Sequence, residues 1–360
     1  MNTSIKKINS CPLCKSPSCE IIHELPNQNV LECSDCHFVY ADSILSSVRE
    51  LYENGYFDNS QEEFGYQDYE KNYKAHEVTF RKRLQRAERY LNRKGLVLDC
   101  GCAFGHFSDV AIKEGWKVVA TDISLNAVKH AKDNYNITGV VSNATSIPFK
   151  ENTFDLIVLY DVLEHTDDPL LLLSNLNRLL KPNGIIHITT PNQKSLSARL
   201  MGKRWYHYKP LEHITYFSKK SLKDSLEKTG WSTLGHKTVI AFMALDTIMS
   251  RLKVYSHSLF SLIDKLLRAF KIDRAIIPLL IGEMEVWATK VEELPRNETS
   301  FPEISKVEAQ EISYSSIVEY LKCPKCEGHL KIKNESKIEC QNCQSLYDRE
   351  EKIPVFDISA

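Results

Sequence analysis

Val97-Leu98-Asp99-Cys100-Gly101-Cys102-Ala103-Phe104-Gly105-His106-Phe107 is the stretch that decides the fold. A short aliphatic run passes into a turn of small residues, the pattern by which a parallel strand hands over to the N-terminus of a helix. A dinucleotide fingerprint would need glycine at 101, 103 and 106, and the chain has Gly101, Ala103 and His106. What stands there is Asp-x-Gly-x-Ala-x-Gly, with small residues that let a ligand approach the backbone closely. Asp99 repels a pyrophosphate at that point and attracts a cationic amino-acid group.

Outward from this turn, from about 94 to 290, β-branched apolar runs alternate with helix-length amphipathic stretches, which predicts a doubly wound α/β sheet. The predicted strands are 95–100, 117–121, 139–141, 154–160, 184–190 and a last one at 283–290. Ligands of such sheets bind at the carboxyl ends of the strands. Asp122-Ile123 follows the second strand, about twenty residues after the turn, where a ribose diol needs an acceptor. Asn143-Ala144 follows the third, and Asp161-Val162-Leu163-Glu164-His165 follows the fourth.

In order and spacing, this set resembles the class I S-adenosylmethionine-dependent methyltransferases of the small-molecule type, over roughly 91–290. The resemblance implies a Rossmann-like sheet that binds S-adenosylmethionine. Asp99, Gly101, Ala103 and Gly105 would line its methionine and ribose part, Asp122 with Ile123 would bind the ribose hydroxyls, Asn143 and Ala144 would face the adenine, and Asp161 completes the set. Ala103 replaces the usual middle glycine, and Asn143 replaces a common aspartate while keeping an acceptor.

The 11 cysteines are the unusual part of the composition. Eight form four CxxC pairs, Cys11/Cys14 with Cys33/Cys36 near one end and Cys323/Cys326 with Cys340/Cys343 near the other. Residues 1–10 are polar and lack an apolar leader core, which predicts a cytoplasmic protein with reduced thiols. Two CxxC knuckles offer four soft thiolates, the set of a closed structural Zn2+ site. No partner motif for a redox dithiol or an iron–sulfur cluster accompanies them. The second set, with Tyr347-Asp348 and Ile353-Pro354-Val355, resembles the Trm112-like zinc ribbons over about forty residues. Some members of that family are partner subunits of methyltransferases, which implies a scaffold role carried here in cis. Cys100 and Cys102 read as small apolar fillers of the turn.

The candidate chemistry lies in His165 and in 205–218, a stretch dense in polar aromatics. Glu212-His213 before an aromatic-rich helix start resembles sugar C-methyltransferases, which implies His213 as base with Glu212 orienting it. Two plainer roles compete: a core histidine held by a backbone carbonyl for His213, and a cap of the helix that follows for Glu164-His165. The Asn/Asp-Pro-Pro-aromatic signature of nucleic-acid amino-methylation is absent.

The expected organisation is a zinc ribbon over 1–45, a tyrosine-rich helical connector or lid over 46–93, the core over 94–290 with a helical insertion at about 244–282, a linker over 291–315 and the second ribbon over 316–360. Net charge is -1, so overall charge does not steer nucleic acid to the protein. The connector nevertheless places Tyr52, Tyr56, Phe57, Phe64, Tyr66, Tyr69 and Tyr73 before a basic helix that bears Arg83 and Arg86, a pattern that could stack on and neutralise RNA or form a solvated face. Around 256–274 an amphipathic basic helix suits either packing on its own domain or peripheral membrane contact. The front end resembles bacterial methyltransferases of surface-polysaccharide and secondary-metabolite pathways. The function expected is therefore methyl transfer to a carbon or oxygen of a small-molecule or glycan acceptor. The alternatives are an rRNA or tRNA methyltransferase and a non-catalytic binding or scaffold protein.

Overall fold

The computed structural model describes residues 5–45, 70–91, 93–253, 255–291 and 312–356. In the N-terminal module β1 (Ile5–Lys7) pairs with β5 (Ser43–Leu45), while β2 (Cys19–Leu25), β3 (Gln28–Cys33) and β4 (Val39–Ala41) form an antiparallel meander. The core contributes β6 (Leu96–Cys100), β7 (Lys117–Asp122), β8 (Gly139–Val141), β9 (Phe154–Tyr160), β10 (Leu180–Pro191), the two-residue β11 (Thr215–Tyr216), β12 (Trp231–Ala244) and β13 (Ile276–Lys290). The C-terminal module adds β14 (Leu330–Ile332), β15 (Lys337–Cys340), β16 (Leu346–Glu350) and β17 (Ile353–Val355).

Eleven strands make one sheet in the order β12-β13-β10-β9-β6-β7-β8-β17-β16-β15-β14. β8, β7, β6, β9 and β10 run parallel, β13 returns antiparallel beside β10, and β12 pairs antiparallel with β13. A parallel strand covered by helices on both faces has no wet side, which is why Leu156-Ile157-Val158-Leu159 is an unbroken apolar run with every member at 0% exposure. Strand order reverses between β6 and β9, and the turn after β6 opens there.

The two flanking modules are bonded into this architecture. Val355 of β17 pairs with Val141 of β8, so the C-terminal ribbon continues the main sheet beyond its edge. β4 pairs with β11, so the N-terminal ribbon forms a second sheet with a strand of the core. One apolar cluster runs through all three parts and includes Phe38 and Tyr40, then Leu98 and Ile157, then Leu321 and Phe356. In each ribbon four sulfurs converge: Cys11 to Cys36 is 3.6 Å, Cys14 to Cys33 3.5 Å, Cys323 to Cys343 3.7 Å and Cys326 to Cys340 3.5 Å. Cys19 stands outside these clusters.

Three expectations are corrected. The supposed helical insertion 244–282 is two helices, Leu245–Leu252 and His257–Ala269, at the tip of a long β12–β13 hairpin, and β13 begins at Ile276 rather than 283. Ile276-Ile277-Pro278 favours extended backbone, and Met243 pairs with Ile277 across the hairpin. The end of the supposed linker is built into the core, where the Tyr314 hydroxyl donates to the Ile137 carbonyl at 2.9 Å. The basic helix of the connector, Tyr73–Ala87, is a solvated face only in part, with Lys74 and Lys82 exposed. Its Arg83 is buried and sits 3.3 Å from Glu283 and 3.8 Å from Asp161, and Arg86 meets Glu285 at 2.9 Å. Of the connector's named aromatics, Tyr52, Tyr56, Phe57, Phe64, Tyr66 and Tyr69 lie outside the described residues.

A shared core makes the ribbon and the sheet unfold together. Phe356→Ala should destabilise the whole protein by roughly 3–5 kcal/mol, the usual cost of emptying a buried aromatic site. Denaturant melts followed by core tryptophan fluorescence should show one shifted transition; a second, separate transition would count against the shared core.

Candidate functional site

One cavity of about 1200 Å³ opens over the carboxyl ends of the parallel strands. A single small ligand usually occupies a pocket of roughly 300–1,000 Å³, so this one has room for two reactants side by side.

Its first half is built by the turn after β6. Gly101 and Cys102 donate their backbone N–H groups to the Thr121 carbonyl at 2.8 and 3.1 Å, which ties the turn to the end of β7. Gly101 has φ 81°, and a Cβ there would come within 2.3 Å of Val162, so glycine is required on both counts. Ala103 adopts φ 48° and donates its N–H to Asp122 at 2.9 Å, while the other Asp122 oxygen accepts from the Ser124 N–H at 3.0 Å. Asp99 accepts from the Ser108 hydroxyl at 2.6 Å, and burial pushes its carboxyl up to about 7. Asp99, Gly101, Ala103, Asp122, Ile123, Asn143, Ala144 and Asp161 all line the cavity.

Gly105 does not. It starts the helix His106–Lys113, and a Cβ there would meet Ile137 and Ala131, so its role is close packing. Asn143 spends its carbonyl oxygen on the Thr145 N–H and hydroxyl, both at 2.9 Å, which shapes a turn at the cavity wall. Together these residues bring a carboxylate, small residues at the turn and a buried acid at the strand end to the cavity.

The second half is formed by Glu164, His165 and the loop 205–213. The His213 Nδ1–H donates to the His207 carbonyl at 2.8 Å, and the His165 Nδ1–H donates to the Glu212 carbonyl at 2.9 Å. A carbonyl can only accept, so each neutral ring keeps Nε2 as its basic nitrogen. The rings meet edge-on with centroids 4.7 Å apart. Burial, with Lys209 nearby, lowers His165 to about 3; burial, with His165 nearby, holds His213 well below the usual histidine value. Burial and Asp161 raise Glu164 well above the carboxylate range, and its carboxyl accepts from the Thr190 hydroxyl at 3.0 Å. Glu164, His165 and His213 bring one ligand atom each within 4.8 Å of one another, a set able to pass a proton or to ligate a cation.

The expected orientation of His213 by Glu212 is therefore corrected: the His207 carbonyl holds the ring, and the Glu212 carboxylate pairs with Lys209 at 3.3 Å. The helix Pro169–Leu179 is capped by Asp168, not by Glu164-His165. The sequence reading missed Arg83 and Glu283 as cavity residues. The signal was Glu283-x-Glu285, two acids in an otherwise apolar strand, where burial and Asp161 push Glu283 up to about 8.

The N-terminal ribbon closes this half. Leu25, Pro26 and Ile44 reach the cavity, the Leu211 N–H donates to Gln28 at 3.0 Å, and the Ala41 N–H donates to the Ile214 carbonyl at 2.7 Å.

Residues 71–235 match the family described as a methyltransferase domain. That segment, just under half of the chain, is similar to a methyltransferase domain. It takes in the helix Tyr73–Ala87 and both halves of the cavity up to His213, and leaves both ribbons and the hairpin tip outside. An uncharacterized protein of Methanocaldococcus jannaschii is 36% identical over 123 residues, 34% of this chain and 52% of that one. A ubiquinone biosynthesis O-methyltransferase of Histophilus somni is 31% identical over 107 residues, 27% of this chain and 45% of that one. The crystal structure of a SAM-dependent methyltransferase from Archaeoglobus fulgidus aligns with a TM-score of 0.40 at 23% identity, covering 59% of this chain and 94% of that one. The chain spans about half the length of the curated relatives it matches.

Asp122 both fixes the turn after β6 and faces the cavity. Asp122→Ala should weaken S-adenosylmethionine binding at least about tenfold in calorimetric titration, the loss expected for a hydrogen bond to a charged group. Unchanged affinity would remove Asp122 from the cofactor site.

Proposed function

We propose that the protein is an S-adenosylmethionine-dependent methyltransferase acting on a carbon or oxygen of a small-molecule, sugar-like or glycan-linked acceptor, and that each ribbon holds a structural zinc ion. The observation that carries the first part is the two-part cavity, with a turn of small residues and Asp122 on one side, suited to an adenosyl group, and a buried pair of neutral histidines on the other. The sulfonium supplies an activated methyl group, so the chain's work is to align, to exclude water and to take a proton from a hydroxyl or an acidic carbon. His213 and His165 offer Nε2 for that proton, and the backbone carbonyls of His207 and Glu212 hold the rings. Arg83, held by Glu283 and Asp161, fixes the floor between the two halves.

Two observations favour a small acceptor over RNA. Arg83 and Arg86 of the basic helix are committed to internal acids, and the helix packs on the core. For zinc, a tetrahedral centre with Zn–S of about 2.3 Å places its sulfurs about 3.8 Å apart, close to the separations in both clusters.

Because both histidines are already neutral across the neutral range, they should add no acid limb as pH falls through about 6.5, the ordinary histidine value, whereas Asp99, pushed up to about 7, should. An acid limb centred there that Asp99→Asn does not remove would point to a different base. His213→Gln should lower kcat roughly 10²–10⁴-fold with cofactor affinity kept, as loss of a general base does. Turnover is read by labelled-methyl transfer to fractionated host metabolites, and a scaffold protein would neither transfer label nor bind S-adenosylmethionine in titration. Elemental analysis should find two zinc ions per chain, with one lost in Cys33→Ser and one in Cys340→Ser; metal-free protein with its ribbons folded would refute the zinc assignment.

A further inference from the structure

The hairpin tip and the short helix beside it carry a surface unlike the rest of the molecule. On the helix His257–Ala269, Phe260, Ile263 and Leu267 pack inward on Val239, Met243 and Ile248. The neighbouring stripe, Leu259, Leu262, Leu266 and then Phe270, is 52%, 57%, 51% and 75% exposed. Spacings of three, four and four residues put these side chains in one line along the helix. Nearby, Leu280 of β13 is 65% exposed, and Leu196 and Leu200 of the helix Leu196–Met201 are 72% and 78% exposed. The two parts are adjacent, since the Tyr255 hydroxyl donates to the Arg204 carbonyl at 2.8 Å. Two-thirds of the exposed large apolar side chains among the described residues fall between 196 and 280.

The charge around this surface that is left outside ion pairs among the described residues has one sign. Asp246, Asp264 and Asp273 are each paired, with Arg274, with Lys253 and Arg268, and with Arg268. Lys194, Arg199, Lys203, Arg204, Lys265 and Lys271 are exposed and have no ion-pair partner among the described residues. A second copy of the chain would bring these cations against like cations, whereas an anionic bilayer offers opposite charge and an apolar interior at once. Lys203, Arg204, Tyr255 and Arg268 also line the cavity, so the cavity reaches this face.

We infer that the face made by the helices His257–Ala269 and Leu196–Met201 and the β12–β13 tip docks on the surface of an anionic lipid bilayer. The leucines and Phe270 enter the headgroup boundary while the lysines and arginines meet lipid phosphates. Docked in this way, the cavity mouth lies at the membrane surface, where it could take an acceptor carried on a lipid. That last consequence rests on the methyl transfer proposed above; docking does not.

Co-sedimentation of the full chain with phosphatidylcholine vesicles, with and without phosphatidylserine, tests the docking and reads no turnover. The wild type should pellet with the phosphatidylserine vesicles and be released as salt rises. Leu262→Glu/Leu266→Glu and Lys265→Glu/Lys271→Glu, all at exposed positions, should each bind at least tenfold more weakly while melting temperature and S-adenosylmethionine affinity stay at wild-type values. Wild-type protein that stays in the supernatant with phosphatidylserine present would overturn the inference, as would variants that pellet like wild type. So would light scattering showing a dimer that Leu262→Glu/Leu266→Glu converts to monomer, because the face would then belong to a second copy.

Discussion

The antiparallel pairing of β4 with β11 is the contact on which the histidine-bearing half of the cavity depends. Between the helix Leu196–Met201 and the helix Lys219–Lys228, the only strand is the two-residue β11. A segment so poor in regular structure takes its shape from what it bonds to. Here Thr215 pairs with Tyr40, Tyr216 with Val39, and Ala41 donates to the Ile214 carbonyl. The sulfur cluster holds the ribbon, the ribbon holds β11, and β11 holds His213 in register with His165.

The electrostatics of the cavity follow from the same enclosure. Its histidines are kept neutral by burial, and Glu164 and Glu283 are kept above the carboxylate range by burial and by Asp161. Arg83 is the charge that makes the acids tolerable in so dry a place, since an unpaired buried charge costs far more than a paired one. Such a site favours neutral bases and short proton transfers over bulk-solvent exchange.

Much of this was legible in the sequence because it is local. β8 and β9 fall where alternation and apolar runs place them, and the turn after β6 is readable from Gly101 and Asp122 because one short segment both makes and uses it. The ribbons were legible from cysteine spacing alone. What the sequence hid is long-range. Gly105 looks like a member of the cofactor turn, yet its constraint comes from Ala131 and Ile137 on another element. Glu212 stands next to His213 in the chain, but the partner of the ring is the His207 carbonyl, a backbone atom with no residue-type signature. The β12–β13 extension was hidden by the helices at its tip, whose amphipathic pattern drew the flanking strand into one reading.

The continuation of the main sheet into the C-terminal ribbon has a bearing on how the chain is made. β8 would be an edge strand of the parallel sheet, and open edges invite pairing with other chains. Its cover, β17, lies more than two hundred residues further along. During synthesis from the N-terminus the sheet can therefore assemble with that edge bare, and it stays bare until the ribbon has emerged and folded. The interval ends only when β17 pairs with β8, so completion of the C-terminal ribbon sets how long the sheet edge is exposed.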